Sequence, residues 1–210
     1  MKTYNNIING INFSLSVEES LYDQAQPLFQ AIRTIPPKSF KNGFKIEIGF
    51  SVFILKENAS GYNIIIPDYM KSPFSDTTDD LTIALWIQLE QIDFLRLYNL
   101  QGMSVRFDDE IVVAKNALQS KFISLQRFPD LGGSGWCIEA IEKDENGVFS
   151  DIDATNYDTC YIYQLLKVRP ELIKVMVLPY DYIVVFENDI IIEVLNEHNE
   201  SIIEVDKGGN

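Results

Sequence analysis

Between Phe44 and Ile54 the chain alternates: Phe44, Ile46, Ile48, Phe50, Val52 and Ile54 are separated first by Lys45, Glu47, Gly49 and Ser51. Successive side chains of a strand point to opposite faces, so this segment predicts one strand with one face in a core and the other in water. The alternation fades at Phe53 and Leu55, where both faces are expected to be covered. Asn58-Ala59-Ser60-Gly61 reads as a turn and residues 62–67 as the returning strand, which makes a hairpin.

Helical signals flank this hairpin. Ser16-Val17-Glu18-Glu19 has the form of a capping box, and Leu21, Ala25, Leu28, Phe29 and Ile32 follow at helical spacing. Pro27 removes a backbone donor and marks a kink or a split, and Pro36-Pro37 stops the helix. Residues 67–78 read as a loop. Thr77-Thr78-Asp79-Asp80 then offers caps to a long amphipathic helix through Leu81, Leu85, Leu89, Ile92 and Leu95, ending near Gly102. In the second half, strands are expected over 110–115, 121–128, 135–141, 182–187 and 190–195. The Asn188-Asp189 pair makes the turn between the last two. Residues 143–156 read as an acidic loop and 157–168 as a helix stopped by Pro170. The fold class expected is α+β, antiparallel sheets with a few packed helices in two subdomains, 1–105 and 106–210. Charge supports that division: residues 1–105 hold 8 basic and 11 acidic side chains, residues 106–210 hold 9 and 20.

The net charge of −14 argues against a nucleic-acid partner, because a phosphate backbone needs a basic surface. No apolar run is long enough to span a membrane, and Met1-Lys2-Thr3-Tyr4-Asn5-Asn6 lacks the apolar core of a secretory signal. A cytoplasmic location is expected. Cys137, Cys160 and His198 cannot close a four-ligand zinc site, and the cysteines form no CxxC pair. They are expected as buried reduced thiols, with a disulfide between them as the other option. His198 lies in the polar turn Asn196-Glu197-His198-Asn199-Glu200, and no spacing among the 31 acids singles out an acid–base pair. No catalytic, cofactor or metal residue is assigned.

Gly132-Gly133-Ser134-Gly135 is the glycine-rich loop of the chain. It leads into a strand and carries no lysine, which is the wrong context for a phosphate cradle. Trp136 either anchors the strand that follows or faces a partner as a hot spot. Arg127, on the other arm, either pairs with Asp130 or presents a cation. The acidic stretches around Asp108-Asp109-Glu110, Asp144-Glu145 and Asp151-Ile152-Asp153 are either solvated charge or a patch that steers a basic partner. The candidate partner-binding residues are therefore Arg127, Ser134, Trp136, Asp144, Glu145, Asp151 and Asp153.

Several short motifs carry a resemblance. Val112-Val113-Ala114-Lys115 ends one strand, and Leu125-Gln126-Arg127-Phe128 ends the next in a turn with an arginine. Ser134-Gly135-Trp136 follows a glycine loop. Residues 161–170 lead to the tail Pro170-Glu171-Leu172-Ile173, and Leu178-Pro179 precedes the closing strands. From Ile111 to about Leu195 the chain resembles a bacterial family classed among the immunity proteins of polymorphic-toxin systems (immunity family thirty-three-like). It departs from the pattern at Cys137-Ile138-Glu139 and at Tyr180, where such proteins often carry arginine with aromatic residues and a glycine. The resemblance implies a non-catalytic interaction protein that neutralises a cognate toxin, with no catalytic residues to transfer. A toxin with a basic active cleft would suit an acidic surface. The alternative is a small-molecule-binding domain or a carboxylate enzyme, which calls for a concave apolar pocket with converging acids. Oligomeric state stays open.

Overall fold

A computed structural model describes residues 1–152 and 156–203. The chain divides into two compact units, Met1–Glu90 and Gln91–Asn210.

The first unit opens with a hairpin of β1 (Lys2–Ile8) and β2 (Ile11–Val17). Asn9 and Gly10 turn the chain with φ of 52° and 79°, a pair of positive values that matches the right-handed twist of the flanking strands. Ser16 is therefore a strand residue, with its hydroxyl 2.9 Å from that of Thr3, and the expected capping box does not form. The expected single helix is two pieces: a 3₁₀ segment Glu19–Ala25, then α1 (Gln26–Thr34) with Pro27 in its first turn. The missing proline N–H costs nothing there, because first-turn donors have no helical partner. Leu28, Phe29 and Ile32 of α1 are buried, as the spacing predicts.

Residues 44–55 are two strands rather than one. β3 (Lys45–Ile48) pairs with β4 (Ser51–Asn58) across a tight turn at Gly49-Phe50. Ile46 faces Phe53 in this register, so the inward parity changes from even to odd residue numbers at the turn. That change is the physical source of the fading alternation. β5 (Gly61–Pro67) pairs with β4, and the short β6 (Thr77–Thr78) pairs with β5. The sheet order is β1-β2-β5-β4-β3, with β2 and β5 parallel and the other pairs antiparallel. Helix α2 (Thr82–Leu97) starts where the Asp80 carboxylate accepts the Thr82 N–H at 3.0 Å, and the boundary between the units falls within it.

The second unit is built on β7 (Glu110–Ala114), β8 (Phe122–Arg127), β9 (Trp136–Lys143), β10 (Phe149–Asp151) and β11 (Tyr157–Tyr161). The short α3 (Leu165–Val168) lies between 3₁₀ segments Ile162–Gln164 and Pro170–Val175. The hairpin β12 (Ile183–Glu187) and β13 (Ile190–Leu195) closes the sheet. Strand order is β11-β7-β9-β8-β12-β13, with β10 on β9; β7 and β9 run parallel. Two expectations are corrected here. The acidic stretch contains β10, and the expected helix begins with five strand residues, because Tyr157–Tyr161 completes the hydrogen bonding of β7 at the sheet edge. One face of the sheet is the core: Ile111, Ile123, Leu125, Ile138 and Val184 are fully buried. The largely helical run from Ile162 to Val175 and the turn through Leu178 close onto that face.

Candidate functional site

The Arg127 side chain lies inside the second unit, 3% exposed. Its Nε donates to the Ser134 carbonyl at 2.9 Å, and Nη1 to the carbonyls of Met103 at 3.1 Å and Leu178 at 2.6 Å. The guanidinium also stands 4.9 Å from the Tyr180 ring centroid and 5.9 Å from that of Trp136. Burial pulls its pKa down, against the opposing pull of Tyr180 and Asp109. Its polar contacts are main-chain carbonyls, so the expected pairing with Asp130 is corrected.

Ser134 and Trp136 complete this arrangement. The Ser134 hydroxyl donates to the Glu110 carbonyl at 2.7 Å and accepts the Trp136 N–H at 3.2 Å. The Trp136 indole is fully buried and donates to the Met176 carbonyl at 3.0 Å. Gly135 between them has φ +80°, and a Cβ there would meet the Phe128 carbonyl oxygen at 2.6 Å. Ser-Gly-Trp is thus a clasp that ties β7, β8, β9 and the helical run together. Arg127, Ser134 and Trp136 present no surface to a partner, because burial and internal hydrogen bonds occupy them.

The described acidic candidates, Asp144, Glu145 and Asp151, lie toward the other end of β9, up to roughly 23 Å away at strand rise. Asp144 shapes the β9–β10 turn: its Oδ1 accepts the N–H groups of Val148 at 2.7 Å and Asn146 at 2.9 Å. The Val148 bond, supported by Asn146 and Gly147, holds this carboxyl below the usual carboxylate range. Glu145 and Asp151 are exposed, Asp151 opposite Ile141. Asp153 lies outside the described residues. The structure therefore separates the six described candidates into an interior clasp and an exposed acidic hairpin.

Strand parity exposes a surface that the sequence left unread. Opposite the core face, Thr159, Val112, Cys137, Gln126, Ile183 and Leu195 form one row across the sheet. Glu139, Ser124, Val185 and Glu193 form the next. Most of these side chains are half-buried, and Cys137 and Val185 sit low between larger neighbours. Glu139 accepts a short hydrogen bond from the Tyr157 hydroxyl, which pushes the phenol up to about 12. Glu193 accepts one from the Ser201 hydroxyl. Among the described residues, Glu110, Glu139, Asp151 and Glu193 on this face have no ion-pair partner.

Cys137 and Cys160 are free thiols, and burial raises the pKa of both, Cys137 to about 11. A cavity of about 360 Å³ beside β7 has a single carboxylate, Asp158, among its lining residues. Among the described residues no group of three His, Cys, Asp or Glu side chains is placed to hold a metal ion, and no helix is long and apolar enough to cross a membrane. The family model of the Imm33-like domain matches residues 90–197. No curated protein and no solved structure matches the chain.

Proposed function

The chain belongs to the Imm33-like domain family, and from that premise we propose that it is a non-catalytic immunity protein. In this reading it binds a cognate protein toxin through the acidic open face of its second sheet and the neighbouring β9–β10 hairpin. The single observation that carries the reading is the set of carboxylates without cationic partners among the described residues, Glu110 and Asp151 exposed and Glu139 and Glu193 half-buried, over a half-buried apolar floor. Opposite charge on a partner would supply what this face lacks and speed the encounter. Inhibition works by occlusion: the face covers the toxin's active cleft. A nuclease toxin has a basic cleft, and carboxylates would then stand in the path of the phosphates. The protein works in the cytoplasm, where it meets the toxin without bound cofactor or metal.

Co-expression with a toxin encoded beside the gene tests this directly. Growth is restored, the two proteins elute as one complex, and added salt slows association. Absence of both rescue and complex overturns the reading. Within a complex that does form, Glu139→Lys combined with Glu193→Lys weakens binding at least tenfold; unchanged affinity moves the interface off this face.

A further inference from the structure

The first unit holds a cavity of about 330 Å³, within the range of small-molecule sites, between the start of α2, the end of β5 and the 3₁₀ segment after β2. Leu21, Met70, Ile83 and Trp86 give it an apolar wall. Three carboxylates, Glu18, Asp68 and Asp80, line it as well, and no lysine, arginine or histidine does. Two of the three are held in place. Asp80 accepts the Thr82 N–H, and Asp68 accepts the Met70 N–H at 3.1 Å with Lys71 Nζ 3.2 Å from its other oxygen. The Glu18 carboxylate is exposed and makes no bond among the described residues, while its own N–H is tied to the Thr82 hydroxyl at 3.1 Å.

This lining selects by chemistry. Three carboxylates repel an anion. A bare metal ion would leave the apolar wall unused, and the acids here do not form a metal-holding group. A cation with a hydrocarbon stem satisfies both halves: its charge meets the carboxylates, and its stem lies on the indole, where an aromatic face also attracts positive charge. We propose that this cavity binds an organic cation of the alkylammonium or alkylguanidinium class, with Glu18 and Asp80 taking the charge and Trp86 and Ile83 the stem. The site is separate from the segment matched by the family and does not depend on toxin binding.

Titration of the full chain with n-butylammonium and n-butylguanidinium, followed through the Trp86 indole N–H resonance, tests the proposal. Sodium chloride at matched ionic strength and n-butyrate serve as controls. The expected result is a saturable shift at Trp86 with the two cations and none with butyrate. The Trp136 indole, buried in the other unit, stays unmoved and reports that the fold is intact. Glu18→Gln weakens binding several-fold and Glu18→Lys abolishes it. Capped Gly-Lys-Gly and Gly-Arg-Gly peptides separate the sources. Tighter binding of a peptide than of the free cation identifies a protein side chain as the ligand, and the reverse identifies a small molecule. A linear response, an equal response to butyrate, or full binding by Glu18→Lys overturns the proposal.

Discussion

Arg127 and Leu178 are joined by a hydrogen bond of 2.6 Å from Nη1 to the main-chain carbonyl, across 51 residues of sequence. With the carbonyls of Ser134 and Met103, this bond holds a buried cation by oriented dipoles. Arg127→Met strands those acceptors, and each buried orphan costs about 1–3 kcal/mol. A loss of about 3 kcal/mol or more is expected in urea unfolding. Arg127→Lys is also destabilising, because one ammonium cannot span the fork. An unchanged midpoint for both variants would mean that the clasp contributes nothing.

Trp136 separates packing from hydrogen bonding. Trp136→Phe keeps most of the buried volume and leaves the Met176 carbonyl unpaired, a loss of about 1–3 kcal/mol. Trp136→Ala adds a cavity and loses about 3–5 kcal/mol. Chemical denaturation of the two variants checks the order, which a surface role for the indole would erase.

Two glycines of one loop should respond differently. Gly135→Ala combines a left-handed backbone with a collision against the Phe128 carbonyl, whereas a Cβ on Gly132, at φ +77°, meets nothing within 4 Å. Gly132→Ala should lose about 1–2 kcal/mol from backbone strain alone. Gly135→Ala should lose clearly more. Equal melting temperatures would show that the loop shifts freely.

The Cys137 thiol makes stability fall in alkali. Burial raises its pKa to about 11, so the folded chain keeps a proton that the unfolded chain releases first. Its contribution is complete below the ordinary thiol pKa and is lost as pH rises through the folded value. Urea midpoints measured between about pH 8 and about pH 10.5 should decline, and Cys137→Ala should flatten part of that slope. Equal slopes in the two proteins would contradict the burial of the thiol.

The elements that announced themselves bury one face against a core. Helix α2 showed its 3–4 spacing, and β8, β9, β12 and β13 showed apolar runs between turns. The β1–β2 hairpin escaped, although Asn9-Gly10 is a strong turn pair, because β1 is an edge strand of mostly polar, exposed residues with little apolar contrast. Residues 44–55 misled because a tight turn changes face without interrupting the apolar pattern. Tyr157–Tyr161 became a strand through a partner 43 to 51 residues away in sequence, which local pattern does not reveal. The motif around Ser134-Gly135-Trp136 stood out in the sequence, but its work did not. A search for an acidic partner of Arg127 looks at side chains, and its acceptors are backbone oxygens.

Those backbone oxygens have a consequence for the sequence. Residues 103, 110, 176 and 178 each offer the clasp a carbonyl, which every amino acid owns, so that bond imposes no particular side chain on them. The donors enjoy no such freedom. The frame is therefore specified by a handful of donor side chains, and the outward-facing strand positions lie outside that constraint.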